Sequence, residues 1–196
     1  MTTLYLATEP AADKLLAENP FALLTGMLLD QQVTMESAFA GPAKLAERLG
    51  GYSPELVAEA DPEEFLEAFK EKPAVHRFPK SMAERVQKLA ATICADYDGK
   101  TEALWTAGDP DGAEVLKRLK KLPGFGDQKA KIFTALLAKQ LDVAPRGWTA
   151  VVGDYGKKGF RSVADVTDPD SLQKVRDFKK AAKAAAKAGD QASSKG

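Results

Sequence analysis

The chain has 196 residues, enough for one substantial core or two small lobes. Its 28 Lys plus Arg balance 28 Asp plus Glu, so net charge excludes no partner and only the distribution of charge is informative. A single cysteine, Cys94, excludes an internal disulfide, a cysteine-ligated iron–sulfur cluster and a cysteine-built structural zinc site.

Helix starts are marked by a capping residue followed by proline at Asn19-Pro20, Ser53-Pro54, Asp61-Pro62, Asp109-Pro110 and Asp168-Pro169. Apolar spacing of three and four predicts helices over 10–18, 20–39, 41–50, 54–60, 62–70, 80–97, 101–106, 111–121, 127–140, 148–155 and 169–188. No long segment alternates with period two, so the predicted class is all-α. Residues 189–196 are predicted to be a disordered tail. The apolar run Ala22–Leu29 is too short to cross a membrane and is interrupted by Thr25 and Gly26. No signal peptide is read at the N-terminus, so a cytoplasmic, nucleoid-associated protein is expected.

In the first long helix, Leu28-Leu29-Asp30-Gln31-Gln32 turns two apolar stripes polar. That pattern suits a helix whose first half is core and whose later half opens on a cleft. Gln31 and Gln32 are candidates to fill a gap in a base stack or to bond a base edge, and the alternative is a pair of surface amides. Residues 53–71 are acidic, with Lys70 the single base. Residues 72–79 form a proline-bounded loop in which His76, the one histidine, is expected to be exposed. Cys94 falls on an apolar stripe with Val86, Leu89 and Ile93 and reads as a buried, inert thiol.

The densest signal is Leu122-Pro123-Gly124-Phe125-Gly126. Helical stripes run into it (Val115, Leu116, Leu119) and out of it (Ala130, Phe133, Leu136, Leu137), so two helices form a tight hairpin. Pro123 stops the first helix. Gly124 and Gly126 leave bare N–H groups beside a helix N-terminus, which is an anion site. Lys117, Arg118, Lys120, Lys121, Lys129 and Lys131 rim it, with Asp127 the one acid between 117 and 131, so a nucleic-acid phosphate is the implied anion. Further on, Arg146 sits on a loop between Pro145 and Gly147. Trp148 follows, as a core anchor or a base-pocket candidate. From Gln173 onward the chain is basic, and Lys179, Lys183 and Lys187 share one helix face. No side-chain metal site is predicted.

Taken in order, these stretches resemble the helix-hairpin-helix DNA glycosylases of the HhH-GPD superfamily. The likeness runs from about Pro20 to Trp148. It includes Gln31-Gln32, the turn Arg77-Phe78-Pro79-Lys80-Ser81-Met82-Ala83, and most specifically the hairpin. Within that superfamily the chain resembles a branch of short, mostly actinobacterial proteins. The resemblance implies a two-lobed fold, with a six-helix lobe over 20–140 that contains the hairpin (111–140) and a second lobe of 1–19 and 141–188. It implies a monomer on double-stranded DNA containing a damaged or mismatched base. Leu122, Gly124, Phe125, Gly126, Gln128, Lys129 and Lys131 would grip phosphate, a monovalent cation at the hairpin backbone is allowed, and no other cofactor is expected. The family's lyase lysine stands two residues after the second hairpin glycine, where this chain has Gln128, so lyase activity is not expected. The family's catalytic aspartate falls about twenty residues after that glycine, where this chain has Arg146. A monofunctional glycosylase would therefore use another acid, with Asp30 preferred and Asp142 an alternative. The competing expectation is a non-catalytic DNA-binding protein that keeps the fold to recognise lesions or bent DNA, in which Arg146 would meet a phosphate.

Overall fold

The computed structural model describes residues 2–193, and among them every regular element is helical. The helices are α1 (Pro10–Glu18), α2 (Pro20–Leu29), α3 (Met35–Leu49), α4 (Pro54–Glu59), α5 (Pro62–Lys70), α6 (Pro79–Tyr97), α7 (Ala103–Thr106), α8 (Gly112–Lys120), α9 (Asp127–Gln140), α10 (Trp148–Val152) and α11 (Pro169–Ser193). Short 3-10 turns cover Gly153–Gly156 and Val163–Asp165.

The centre is α2, buried at every position from Phe21 to Leu29. Asn19 starts it by accepting from Ala22 N–H at 3.0 Å, and its amide donates to Tyr52 O at 2.9 Å. Tyr52 stacks on Phe21 with ring centres 5.2 Å apart and donates its hydroxyl to Thr25. α2 and α3 pack closely because each has a glycine where they meet. A Cβ on Gly26 would lie 2.5 Å from the Phe39 ring, and one on Gly41 would lie 2.7 Å from Leu29. α4 and α5 lie on α6, and α1 lies on α2 and α3. The hairpin α8–α9 has its own aromatic centre, where Phe125 meets Phe133 edge-on and Phe133 meets Trp105.

Three boundaries differ from the sequence reading. The helix predicted over 20–39 ends at Leu29; residues 30–34 form a loop, and Thr34 restarts the chain as α3 by capping Ser37 N–H. The predicted break near residue 40 is absent, since α3 runs through Pro42. Proline there removes one backbone donor, a loss the packed surroundings tolerate. The last helix continues over 189–193, where a disordered tail is predicted; residues 194–196 lie outside the described residues.

Candidate nucleic-acid interface and cleft

The hairpin turn has the geometry its sequence implies. Gly124 adopts φ +80°, which only glycine takes without strain, and a Cβ there would touch Leu28 at 3.3 Å. Gly126 is different: its φ is −78° and a Cβ would meet nothing within 4 Å. Nothing inside the protein requires glycine at 126. Its bareness faces outward, at the N-terminus of α9, which no side chain caps. Leu122 and Phe125 are buried to 4 % exposure, so the turn offers its backbone, not these side chains.

The basic rim is more neutralised than its sequence suggests. Arg118 turns inward and donates to the carbonyls of Ala103, Leu104 and Ala107, closing α7. Lys117 and Arg118 both pair with Glu114. Asp127 takes Lys120 at 3.1 Å and Lys131 at 2.7 Å, and those hydrogen bonds hold its carboxyl below the ordinary range. Exposed pairs of this kind are screened by water and hold weakly, so both lysines can exchange Asp127 for a phosphate at little cost.

Lys129 leaves the rim altogether. Its ammonium donates to Met27 O at 2.8 Å, Leu28 O at 3.2 Å and Asp30 O at 3.4 Å, at the C-terminal end of α2. A cation on orphan carbonyls at the negative end of a helix dipole is a stabilising arrangement. Burial lowers the Lys129 pKa, Asp30 supports its charge and Arg85 opposes it.

The other caps on this helix end are Gln31 and His76. Gln31 donates its amide to Leu28 O at 2.7 Å and accepts from Arg85 at 2.9 Å. His76 is 3 % exposed, not the exposed side chain expected from its loop. Its Nε2–H donates to Leu29 O at 3.1 Å and Gln31 O at 3.0 Å, while Nδ1 accepts from Phe78 N–H at 3.0 Å. This bonding pattern assigns a neutral ring protonated at Nε2. Burial lowers its pKa, the two carbonyl contacts oppose the fall, and the nearby Lys129 charge adds to it. Gln32, in contrast, is exposed with φ +58°, and Phe78 is 41 % exposed with Arg77 over its ring.

Asp30 closes α2 and lines a pocket of about 150 Å³ with Val33, Met35, Val175, Arg176 and Lys179. Burial raises its pKa, Lys179 and Lys129 pull it down, and Glu36 pushes it up. The α11 helix reaches this pocket because Leu172 and Val175 are buried and Arg176 pairs with both oxygens of Glu36, at 2.7 and 2.8 Å. Beside it, a groove of about 730 Å³ runs between Gln128 and Ile132 of α9, Tyr155, and the basic face of α11. Gln128 donates to the Tyr155 hydroxyl at 2.9 Å.

The remaining predicted site residues lie apart. Arg146 is exposed, and its carbonyl accepts from Gly112 N–H at the start of α8. That is the end of α8 remote from the turn, about 13 Å along nine residues. Trp148 is half-buried there, its backbone 2.7 Å from where a Cβ on Gly112 would sit. Asp142 is exposed with φ +56°. Cys94 is half-buried rather than buried, and burial with Glu55 and Glu59 nearby pushes its thiol pKa up. Tyr155 and Phe178 carry no motif in the sequence, and the docking of α11 brings Phe178 and the basic face of Lys179 to the groove beside Tyr155. Among the described residues no helix is long and apolar enough to cross a membrane, and no three His, Cys, Asp or Glu side chains gather as a metal ion would need.

Comparison with known proteins agrees with the hairpin. The family model described as HhH-GPD superfamily base excision DNA repair protein matches residues 25–187. No curated protein and no solved structure matches the chain.

Proposed function

The chain belongs to the HhH-GPD superfamily of base excision DNA repair proteins, and from that premise we propose that it is a monofunctional DNA N-glycosylase acting, as a monomer, on double-stranded DNA with a damaged or mismatched base. In this reading DNA lies across the cleft between the lobe of residues 20–140 and the lobe of 1–19 with 141–188. The bare N–H groups of the turn grip a phosphate. A monovalent cation fits the same turn, since Leu122 O accepts Phe125 N–H and keeps a second lone pair. Gln32 and Phe78, both exposed beside the α2 end, fill the gap left by a flipped nucleotide.

The observation that carries the enzymatic reading is Asp30. Its carboxyl has a raised pKa in a cleft, and Lys129 ties its backbone to the hairpin helix. The C1′–N bond breaks with its electron pair leaving on the base. Asp30 stabilises the positive charge on the sugar and takes the proton of the water that adds at C1′. Gln128 in the lysine position supplies no amine for a Schiff base, so the product is an intact abasic strand.

One feature favours the alternative of recognition without cleavage: Lys179 presents positive charge to the same carboxylate. The test is incubation with duplexes carrying uracil, hypoxanthine, oxidised guanine, alkylated purines or adenine opposite oxidised guanine, followed by alkali. Strand breaks that vanish in Asp30→Asn support the glycosylase. Tight lesion binding with no breaks on any duplex overturns it in favour of recognition.

A further inference from the structure

The pocket at Asp30, about 150 Å³, is smaller than the ~300–1,000 Å³ of ordinary ligand sites, whereas the groove beside it, about 730 Å³, falls inside that range. Lys179 lines both, so the groove adjoins the Asp30 pocket. Its walls combine aromatic faces with cations. Phe178 is 42 % exposed on α11, with the Arg161 guanidinium 5.4 Å from its ring centre. Phe178 is one of the three large hydrophobic side chains that the described residues expose, and the half-buried Tyr155 is the second ring of the lining.

The cations are poorly compensated. Among the described residues Lys180, Lys183 and Arg161 form no ion pair, and Arg161 Nε is buried without a hydrogen-bond partner. Asp154, in electrostatic reach of Arg161, already holds Lys157 at 2.5 Å, and Asp165, whose Oδ2 accepts the Arg161 backbone N–H at 2.9 Å, already holds Lys139 at 2.6 Å. Solvated aromatic faces interleaved with unpaired cations along a groove are what unpaired nucleic acid recognises. Bases stack on the rings, and the basic wall follows the phosphates. A duplex offers no exposed base face to such a groove.

We propose that the groove between α9, Tyr155 and α11 holds an unpaired stretch of DNA strand, with Phe178 as the principal stacking face. The groove thus binds single-stranded DNA in its own right. It rests on the glycosylase reading only in that the strand leads to Asp30, so the favoured substrate nucleotide lies in a locally opened region.

The experiment is anisotropy titration of a short fluorescein-labelled oligothymidine and of a duplex of the same length. Wild type binds the oligothymidine. Phe178→Ala, at an exposed position, weakens that binding by about 5- to 150-fold, the effect of losing one stacked base, and leaves duplex affinity within about twofold. Phe178→Trp retains it. Failure of wild type to bind the oligothymidine, or an equal loss on both DNAs in Phe178→Ala, overturns the proposal. Gly126→Ala, read on the duplex, tests the hairpin grip separately, and Asp30→Asn tests cleavage. Failure of either leaves the oligothymidine result standing.

Discussion

Replacing Lys129 with Met keeps the apolar stem and removes the ammonium from the end of α2. The consequence is worked from its three acceptors. Leu28 O retains Gln31 Nε2 at 2.7 Å, and Met27 O retains the Asp30 backbone N–H at 3.3 Å. Asp30 O, whose contact is the long one at 3.4 Å, loses least. The net loss is therefore near one charge-assisted hydrogen bond, about 1.5–3 kcal/mol, plus a helix-dipole term of about 0.3–1 kcal/mol, less the relief of desolvating a buried cation. A fall of about 2 kcal/mol lowers Tm by roughly 4–8 °C for a chain of this size. The same substitution withdraws a positive charge that holds the Asp30 pKa down, so the acid limb of any cleavage rate moves to higher pH. Thermal unfolding followed by circular dichroism reads the first effect, and single-turnover rates against pH read the second. A Tm within about 1 °C of wild type refutes the cap. A normal fall in Tm with an unmoved pH limb refutes the electrostatic link.

The two hairpin glycines separate cleanly. Gly124→Ala places a Cβ at φ +80° against Leu28 and lowers stability by about 1–2 kcal/mol in urea unfolding, while Gly126→Ala, at an ordinary φ in open space, leaves Tm unchanged and weakens duplex binding. Equal behaviour of the two would mean that Gly126 serves no ligand. His76 supplies a pH dependence. Its folded pKa lies below the ordinary 6.5, so the unfolded chain takes the proton first, and stability present above about pH 6.5 declines as pH falls toward the folded pKa. Tm should fall between pH 7 and 5, and His76→Gln should flatten that slope; an unchanged slope assigns the titration elsewhere. Gly26→Ala forces a methyl into the Phe39 ring and should cost about 1–3 kcal/mol by overpacking, read as a lower urea midpoint with an unchanged m-value.

The hairpin was legible because its information is local: a proline, two glycines and helical stripes on either side state the turn without reference to the rest of the chain. The end of α2 was not. No proline or glycine near Leu29 stops a helix; beside the local Gln31 cap, the stop is completed by Lys129 and His76, which arrive from 102 and 47 residues away to take the last carbonyls. His76 looked exposed for the same reason, since its loop is polar and its acceptors lie on another helix. The basic rim misled in the opposite direction. Sequence spacing counts Arg118 and Lys129 as surface charge, yet both turn inward to close helix ends. Arg146 aligns with a catalytic position by counting, but α9 carries the chain to the far end of α8 before the loop begins. The basic face of α11 was legible, but the groove was not, because Tyr155 and Arg161 belong to a different segment from Phe178, and the two meet only once α11 docks, held by the Arg176–Glu36 clamp to α3 and a small apolar seam.

The tie between Lys129 and α2 also has a meaning for how the chain folds. Helix 20–29 is the most buried element, yet its C-terminal carbonyls have no full set of partners until a segment about a hundred residues later has formed. The contact is long-range in sequence, so closing it is entropically expensive and comes late. A fragment ending before residue 111 would keep the apolar surface of α2 without the group that finishes it. The last amides of α2 and the hydrogen-bonded amides of α9 beyond its first turn should therefore exchange with solvent through a common opening, as one cooperative unit.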